Sequence, residues 1–484
     1  MRLLNKNKYL ALLILLSSCN DYLSENPDDR VELNTLDKAS QLLTNAYASG
    51  AYTFTEWMSD NVSFTTGTRK LIEHNQAYNW QDVTAGTDNQ DTPAFFWATS
   101  YEAIAHANEV LAVIDNLDGD SRHKEAIRAE ALLARAYNHF MLVNLFAEHY
   151  NASSAPNDLG IPYVDEPETV FIKQYTRGTV KAVYDKIEAD LLAGLQFVDE
   201  SFYANSGKYH FTRDAALAFA SRYYLFKGDF EKCINYSSQL LGSDPSIYVK
   251  DIASLLQTTP NTNDFLREFA SPSDPSNLLL IRKVSNYFWG YGFWPSISFI
   301  NKLYYLNPMG NAEDIRRSDA YPLLAAGDEG VVVGKMDYLF ERTSITSNVG
   351  YNYTITPVFR GEEVLLNRAE CYAQLKNTNL ALTDLQIYVN KRYSNSPSVT
   401  LSQLKSFYNK KEDKDALLDF VTHERQKEFI HEGLRWFDIK RFDLSVLHEM
   451  GDGSIDSLRR NDPRKILQIP QAAIDIAGLE PNPR

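Results

Sequence analysis

Apolar residues recur at steps of three and four along much of this chain, which is the pattern of amphipathic helices. The clearest case is the run IRAEALLARAYNHFMLVNLF, residues 127–146. One apolar stripe passes along this run and one residue beyond it, through Ala129, Leu133, Ala136, Phe140, Val143 and Ala147. Small and large side chains alternate on the stripe, which permits close packing between helices. The pattern predicts a mainly α-helical fold.

Two later helical segments are similar to each other. They are AFASRYYLFKGDFEKCINYSSQLL, residues 218–241, and LNRAECYAQLKNTNLALTDLQIYV, residues 366–389. In each, a tyrosine precedes a short polar turn and a small residue follows it by nine positions, as in the pairs Tyr224–Cys233 and Tyr372–Ala381. This spacing is similar to that of the tetratricopeptide repeat, a helix-turn-helix unit of about 34 residues.

Two insertions interrupt the predicted scaffold of helix pairs. Further pairs are expected at residues 37–52 with 95–116 and at 121–147 with 179–198, which gives four pairs. The first insertion, 53–94, is polar. The larger one is rich in Pro, Gly and aromatic residues, and its runs NLLLIRKV and GVVVGKM favour strands. Because repeats supply a scaffold and loops carry specificity, we expect function in the insertions.

The expected organisation is a single folded domain behind a processed N-terminus. The predicted parts are a signal peptide (1–18), a lipidated tether (19–36) and one domain (37–484), with helical repeats at about 37–242 and 360–395, a loop-rich insertion at 243–359 and a C-terminal segment at 396–484. The C-terminal segment is predicted to hold one further amphipathic helix, then KILQIP and a coil.

The N-terminal pattern indicates export. Basic residues precede a short apolar run, and the run ends in LSSC, residues 16–19. The run is too short to cross a bilayer, which takes roughly 20 apolar residues. LSSC resembles the bacterial lipobox, in which the cysteine is acylated and becomes the new N-terminus. Cys19 is therefore the predicted lipidation site, and two or three acyl chains would hold the protein stably on a membrane. The alternative is an ordinary signal peptide.

Charge and motif spacing exclude several function classes. The formal net charge of −15 and the absence of a basic block argue against nucleic-acid binding. His423 and His431 are eight positions apart, so the HExxH zinc arrangement fails, and the chain has no GxSxG, GxxxxGK[ST] or GxGxxG motif. No cofactor is predicted. A glycosidase carboxylate pair has no fixed spacing and stays open, but binding without catalysis is the better interpretation.

The strongest functional candidate is the run NYFWGYGFWPSISFINKLYY, residues 286–305. Six aromatic residues lie within eight positions and are separated by two glycines, which favours a loop. Flat rings on such a loop can stack on sugar rings. The predicted ligand-binding residues here are Tyr287, Trp289, Tyr291 and Trp294. The alternative is a hydrophobic plug beneath the insertion, and we expect some rings in each role.

The second candidate is the run YNWQDVTAGTDNQDTP, residues 78–93. Trp80 is the predicted platform, and the polar side chains after it can orient sugar hydroxyls. Asp82, Asp88 and Asn89 are the predicted ligand-binding residues, within a polar group that also includes Thr87, Gln90 and Asp91. The alternative is a solvated loop. Its carboxylates could also hold calcium, but the EF-hand spacing is absent, and no metal is predicted.

Four motifs in order resemble one known family. They are FFWATSYEAIAHANEVL, RAEALLARAYNHFMLVNLF, GEEVLLNRAECYAQL and HERQKEFIHEGLRWFDIKRFD, and the last resembles the ERR-x-EF-x-x-EG-x-RWFDLKR hallmark of the SusD/RagB family of outer-membrane nutrient-binding lipoproteins. The resemblance spans almost the whole chain. It implies four tetratricopeptide-like pairs with a less regular ligand-facing half. It also implies a surface lipoprotein that acts as a lid on a SusC-like TonB-dependent barrel and delivers oligosaccharides or, in the RagB branch, peptides.

The hallmark run itself is interpreted as structural. Phe429, Trp436 and Phe437 are expected in the core, and Glu432, Arg435 and Asp438 follow at steps of three on one helix face, close enough to pair. The main hypothesis is a glycan-binding outer-membrane lipoprotein. Peptide capture, a lipid-anchored scaffold that binds only proteins, and a hydrolase are the alternatives.

Overall fold

Helices provide most of the regular structure in the computed structural model, which describes residues 33–170, 173–203, 206–317 and 321–484. Cys19, the predicted signal peptide and most of the predicted tether lie outside these residues. The mainly α-helical fold class expected from the sequence is confirmed. No helix in the described ranges combines the length and the apolar character needed to cross a membrane.

The N-terminal part of the described chain is helical. Its helices are α1 (Leu36–Leu43), α2 (Phe54–Trp57), α3 (Ile72–Tyr78), α4 (Pro93–Val113), α5 (Ser121–Phe146), α6 (Val180–Phe197), α7 (Arg213–Lys227) and α8 (Phe230–Leu241). Polar N-caps begin the long ones: the side chains of Thr92, Asp120, Thr179 and Thr212 each accept a backbone N–H of the first turn. The run predicted as the clearest helix is α5.

The middle part mixes helices with a small sheet. It contains α9 (Ile252–Thr258), α10 (Thr262–Phe269), β1 (Asn277–Val284), α11 (Ile297–Tyr305), β2 (Leu323–Ala326), β3 (Gly330–Val333), β4 (Asp337–Arg342) and β5 (Gly350–Arg360). β1, β5 and β4 form an antiparallel sheet in that order, while β2 and β3 form a hairpin. The two runs that favoured strands are β1 and, in part, β3.

The C-terminal part returns to helices. It contains α12 (Gly361–Gln374), α13 (Thr378–Asn390), α14 (Leu401–Tyr408), α15 (Asp413–Glu428), α16 (Leu434–Arg441), β6 (Val446–Glu449), β7 (Ile455–Leu458) and α17 (Gln471–Ala477). The prediction of one further helix after residue 395 is wrong, since four are present. Two of them are only eight residues long and one only seven, too short to show a helical period clearly.

The long helices pack as the sequence pattern requires. α5 lies between α4 and α6, and α12 contacts α7, α8, α13 and α15. At the α5–α6 contact, a Cβ placed on Gly194 would come within 2.6 Å of Leu133 Cγ and 2.9 Å of the Ala129 carbonyl oxygen. Gly194 therefore permits the close approach of the two helices that the small residues on the stripe of α5 predict.

The hallmark run is not one helix. α15 ends at Glu428 and α16 begins at Leu434, and in the turn between them His431 and Gly433 have φ values of 70° and 75°. Phe429, Trp436 and Phe437 are buried, as predicted. The predicted pairing along one helix face is wrong, because the turn separates Glu432 from α16.

The charged residues of the hallmark run pair in several directions. Arg435 binds Asp60 and Glu432 binds Arg360, with N–O distances of 2.8 and 2.9 Å. Asp438 pairs with Arg425 of α15 and, three residues along α16, with Arg441. Arg435 and Glu432 therefore join segments that are distant in sequence, while Asp438 joins α15 to α16.

A connected set of ion pairs lies inside the fold around α15. We call this set the buried charge network; it consists of Asp314, Arg316, Lys335, Arg360, Glu362, Arg392, Glu424, Lys427, Glu428 and Glu432. Five cations face five carboxylates, and all ten side chains are buried. Glu428 lies at the centre, where it accepts from Arg316, Arg360 and Arg392. The network joins the end of β5, the start of α12, the residues after α13, α15 with the turn that follows it, and the segments before β2 and after β3.

Cys233 and Cys371 are buried, free thiols in α8 and α12. They serve as small core residues at the contact between these helices, in agreement with the sequence expectation that neither belongs to a disulfide framework.

Candidate functional site

The aromatic run 286–305 divides into a loop and a helix. A short 3₁₀ turn spans Tyr287–Trp289, Gly290 and Gly292 follow with φ values of 82° and 83°, and α11 begins after the N-cap Ser296. Both glycines adopt the left-handed backbone conformation, which L-residues with a Cβ adopt only at a cost. The predicted loop is thus present in the first half of the run.

Part of this loop points into the protein. Tyr287 and Trp294 are fully buried, and their ring centroids lie 4.4 Å apart. The Tyr287 hydroxyl lies 3.0 Å from Nδ1 of His431, and the His431 Nε2 accepts the backbone N–H of Val333. Burial raises the pKa of Tyr287 and lowers that of His431, so both groups are neutral at pH 7. Tyr287 and Trp294, both predicted as ligand-binding residues, therefore connect the loop to the core.

The buried side of the loop fits against Trp57 of α2. A Cβ on Gly292 would lie 2.4 Å from the Trp57 indole, so the indole occupies the space that any other residue would need. Phe293 is also buried and stacks on Tyr78, with centroids 4.0 Å apart. The backbone from 290 to 294 is therefore fixed in place by contacts with α2 and α3.

Other rings of the same loop reach solvent. Trp289 is 40% exposed and makes edge contacts with Tyr338 and Phe340 of β4, at centroid distances of 5.4 and 6.4 Å. Tyr291 is half-buried, and its hydroxyl accepts from Nη1 of Arg69 at 2.7 Å. We call Trp289, Tyr291, Tyr338 and Phe340 the aromatic face.

Tyr338 and Phe340 share one face of the sheet because both belong to β4, two positions apart. Side chains of a strand alternate, so these two residues point to the same side of the sheet. Phe340 lies opposite Asn352, whose amide donates to Asn286 Oδ1 at 2.6 Å, just before the aromatic loop. Gly350 leaves room for the Phe340 ring, because a Cβ there would lie 2.8 Å from Phe340 Cζ.

Residues 63–70 of the first insertion hold the loop from the other side. The N–H of Ser63 donates to the Trp294 carbonyl at 3.0 Å, and the N–H of Gly292 donates to the Arg69 carbonyl at 2.9 Å. The Thr68 hydroxyl adds a bond to the Gly292 carbonyl. The two insertions that were expected to carry function therefore meet at the aromatic face.

The second candidate run lies mostly elsewhere. Trp80 is buried: its Nε1 donates to the Met58 carbonyl at 2.7 Å, and its ring stacks on His448 at 4.3 Å. His448 in turn stacks on Tyr78. A column of stacked rings thus runs from Phe293 of the aromatic loop to Trp80, and Trp80 offers no exposed face as a platform.

The polar residues predicted near Trp80 have different environments. Asp82 is exposed and binds the guanidinium of Arg484. Asp88 and Asn89 are exposed, and the Asn89 amide lies 3.4 Å from Glu73. Trp80 and Asp82 line a cavity of about 480 Å³ between residues 80–85 and residues 464–484 at the end of the chain. The structure does not bring these predicted residues onto the aromatic face.

Asp91 is the acidic residue of the run that reaches the aromatic loop. It is buried, with its carboxylate 2.6 Å from the Ser285 hydroxyl and 2.7 Å from the N–H of Asn286. Burial raises its pKa to about 6, against the hydrogen bonds from Ser285 and Asn286, which favour the charged form. Asp91 therefore positions the start of the loop.

Sequence reasoning missed Arg69, Tyr338, Phe340 and Asn352. The signal that could have found the β4 pair is the alternation in DYLFER, where two aromatic residues two positions apart share one face of a short strand. Arg69 carries no such signal, since only the pairing of segments 63–70 and 290–294 places it beside Tyr291.

The comparisons with known proteins point to one family. A SusD-like family model described as starch-binding associating with outer membrane matches residues 21–225, and the SusD family model matches residues 322–475. The SusD-like protein P2 of Formosa agariphila is 22% identical over 413 residues, which are 78% of this chain and 76% of that protein.

Solved structures share the fold. A putative sugar binding protein from Bacteroides vulgatus superposes with a TM-score of 0.69 at 20% identity, over 94% of this chain and 99% of that one. A SusD superfamily protein from Bacteroides thetaiotaomicron gives 0.66 at 21% identity, over 93% and 100%. A laminarin binding SusD-like protein gives 0.62 at 18% identity, over 93% and 99%. These structures show a shared fold, and the two family models, whose matches together span most of the chain, show that the chain belongs to the SusD/RagB family.

Proposed function

We propose that this chain binds oligosaccharide at the cell surface and delivers it to a SusC-like TonB-dependent transporter, without catalysing a reaction. The observation that carries the proposal is the aromatic face, where Trp289 and Phe340 are each exposed by at least two fifths. Exposed rings beside amide groups suit sugars, whose apolar faces stack on aromatics while their hydroxyls need donors and acceptors. Asn286 and Asn352 supply amides next to the rings.

The proposal assigns ligand contact to only some of the binding residues that were predicted from the sequence. Trp289 and Tyr291 are the predicted residues whose rings a ligand can reach, joined by Tyr338 and Phe340. Tyr287 and Trp294 would act by holding the loop in place. Asp82, Asp88 and Asn89 would contact a ligand only if it extended beyond the aromatic face, and the buried Trp80 would hold the neighbouring rings in place.

Affinity electrophoresis of the purified protein against plant, microbial and host polysaccharides tests glycan binding. We expect at least one polysaccharide to retard the protein, and Trp289→Ala to weaken binding about tenfold, because a stacked ring contributes about 1–1.5 kcal/mol. The matched control is Tyr351→Ala. Tyr351 is 56% exposed on the opposite face of the same sheet, so its loss should leave retardation unchanged. Equal loss in both variants would contradict the assignment.

The anchor and the partner need separate tests. Lipids on Cys19 would hold the protein at the outer membrane, so metabolic labelling with a fatty acid should mark the wild type but not Cys19→Ala. Co-purification with a TonB-dependent barrel from solubilised outer membranes would support the delivery step. Absence of new reducing ends after incubation with a bound glycan would support capture over hydrolysis.

Peptide capture is the second candidate function, and one observation favours it. β4 is the edge strand of its sheet, with no further strand on its outer side among the described residues. An extended peptide could pair with such an edge through backbone hydrogen bonds. A peptide ligand would tolerate Trp289→Ala better than a glycan would, since backbone pairing does not depend on one ring.

A further inference from the structure

Two arginines border the aromatic face. Arg69 lies beside Tyr291, to whose hydroxyl it donates. Arg342 follows Phe340 by two positions in β4 and pairs with Gly350 of β5, so it lies on the same face of the sheet as Tyr338 and Phe340. Both side chains are exposed.

Neither arginine has a carboxylate partner within 4 Å among the described residues. The guanidinium of Arg69 uses one of its five N–H groups for the Tyr291 hydroxyl, and the side chain of Arg342 makes no hydrogen bond in the described part of the chain. Arg282 provides the contrast. It lies on the opposite face of the same sheet and binds Glu341 at 2.8 Å.

Three carboxylates that contact the first insertion or the start of the aromatic loop have other partners. Asp328 accepts from Thr66, Glu73 lies against Asn89, and Asp91 is bound to Ser285 and Asn286. In β4, Glu341 alternates with Phe340 and so points to the other face. Two exposed arginines without a carboxylate partner among the described residues thus border the aromatic face, in a chain whose formal net charge is −15.

This arrangement matters because long-range charge is screened. At physiological ionic strength the Debye length is about 8 Å, so a ligand at the aromatic face responds to the nearest charges and much less to the distant acidic surface. A planar guanidinium with free N–H groups matches carboxylate and sulfate oxygens in a bidentate geometry. A neutral sugar would use the rings and amides but would leave both guanidinium groups without an ionic partner.

We propose that the aromatic face binds an anionic glycan, one that carries carboxylates or sulfate esters, with a sugar ring stacked on Trp289 and anionic groups paired with Arg69 and Arg342. This inference rests on the proposed glycan binding and specifies its ligand class. Carboxylate and sulfate share the chemistry that the arginines recognise, and the experiment separates them.

The test compares matched polymers by affinity electrophoresis or calorimetry with the purified protein. One pair is a set of polyuronates and their carboxyl-reduced forms; the other is a set of sulfated galactans and their desulfated forms. We expect an anionic member to bind at least tenfold tighter than its neutral counterpart. Which of the two pairs shows the difference identifies carboxylate or sulfate as the recognised group.

Variants assign the preference to the two arginines. Arg69→Gln and Arg342→Gln are each expected to weaken binding of the anionic polymer by up to about fivefold, as for an exposed ion pair. Arg282→Gln, on the opposite face, should leave it unchanged. Raising the salt concentration from 50 to 500 mM should weaken binding of the anionic polymer to the wild type. It should have less effect on the variant that carries both Arg69→Gln and Arg342→Gln.

Failure of this inference can be distinguished from failure of the proposed function. If neutral forms bind as tightly as anionic ones and Trp289→Ala abolishes both, glycan binding stands and the anionic preference is overturned. If Arg282→Gln weakens binding as much as the other two substitutions, the attraction is non-specific and the inference is also overturned. If no polysaccharide binds at all, both proposals fail.

Discussion

The buried charge network and the aromatic face use similar residues in opposite ways. In the network, five cations and five carboxylates lie together inside the fold, and Glu428 alone accepts from three arginines. At the aromatic face, Arg69 and Arg342 are exposed and have no carboxylate partner in the described ranges. A charged residue whose ionic partners are all supplied by the chain has a structural role. An exposed charged residue without such a partner is available to a ligand.

The same contrast holds for the aromatic residues. Trp294 and Trp436 are fully buried, and each fills a space between elements. Trp289 lies five positions before Trp294 in the same loop but keeps two fifths of its surface exposed. Gly290 and Gly292 lie between these two tryptophans and adopt left-handed conformations, so the backbone between the exposed and the buried ring is not a regular helix or strand. Composition alone therefore does not separate a ligand platform from a core.

The largest expected effect comes from breaking the network. Glu428→Gln removes the central carboxylate charge and leaves an excess of buried cations, so the free energy of unfolding should fall by about 3–5 kcal/mol. Urea denaturation followed by circular dichroism measures this loss. A loss below about 1 kcal/mol would mean that the ion pairs are not needed for stability and would remove the contrast between the two regions.

Acid should weaken the network through its carboxylates. Burial alone would raise the pKa of Glu424, but Lys427 and Arg316 outweigh burial and lower it to about 2; the pKa of Glu428 is lowered too, against burial, by Arg392 and Arg360. A carboxyl group whose folded pKa lies below its unfolded value of about 4.3 stabilises the fold above that value, and this stabilisation is lost as the pH falls through the folded pKa.

The free energy of unfolding should therefore decrease as the pH falls from about 5 to about 2. Urea titrations at a series of pH values check this. In Glu424→Gln the slope over that window should be smaller, because one titrating group has been removed. An unchanged slope would show that other carboxyl groups cause the acid sensitivity. The contribution of Glu432 to this pH dependence has the opposite sign, because burial raises its pKa. Glu432 therefore reduces the total loss of stability in acid.

Much of the fold and part of the site could be predicted from the sequence. The helical period predicted α5 because its apolar stripe is long and regular. The aromatic residues separated by glycines predicted the loop that carries Trp289 and Tyr291. The direction of each ring could not be predicted, since Tyr287 faces His431 and Trp80 faces His448, partners far along the chain. Tyr338 and Phe340 were missed because β4 has only six residues.

A matched pair of glycine substitutions tests how the aromatic face is held. Gly290→Ala meets no atom within 4 Å and should cost about 1–2 kcal/mol for its left-handed backbone. Gly292→Ala bears the same backbone cost and also places a Cβ 2.4 Å from the Trp57 indole, so it should cost about 1–3 kcal/mol more. Urea denaturation gives both values. Equal losses would show that the contact with Trp57 does not position the loop.

The smallest expected effect comes from an ion pair that resembles those of the network in length but not in environment. Arg282 and Glu341 lie 2.8 Å apart at the surface, and Arg360 and Glu428 lie 2.9 Å apart inside the fold. Glu341→Gln should change the free energy of unfolding by no more than about 0.5 kcal/mol, because water replaces the lost partner of an exposed arginine. Urea denaturation beside Glu428→Gln makes the comparison direct. If the two substitutions cost the same, bond length and not burial would set the energy. A large gap between them supports the view that exposed arginines such as Arg69 and Arg342 remain in place at little cost to stability while free to bind an anionic ligand.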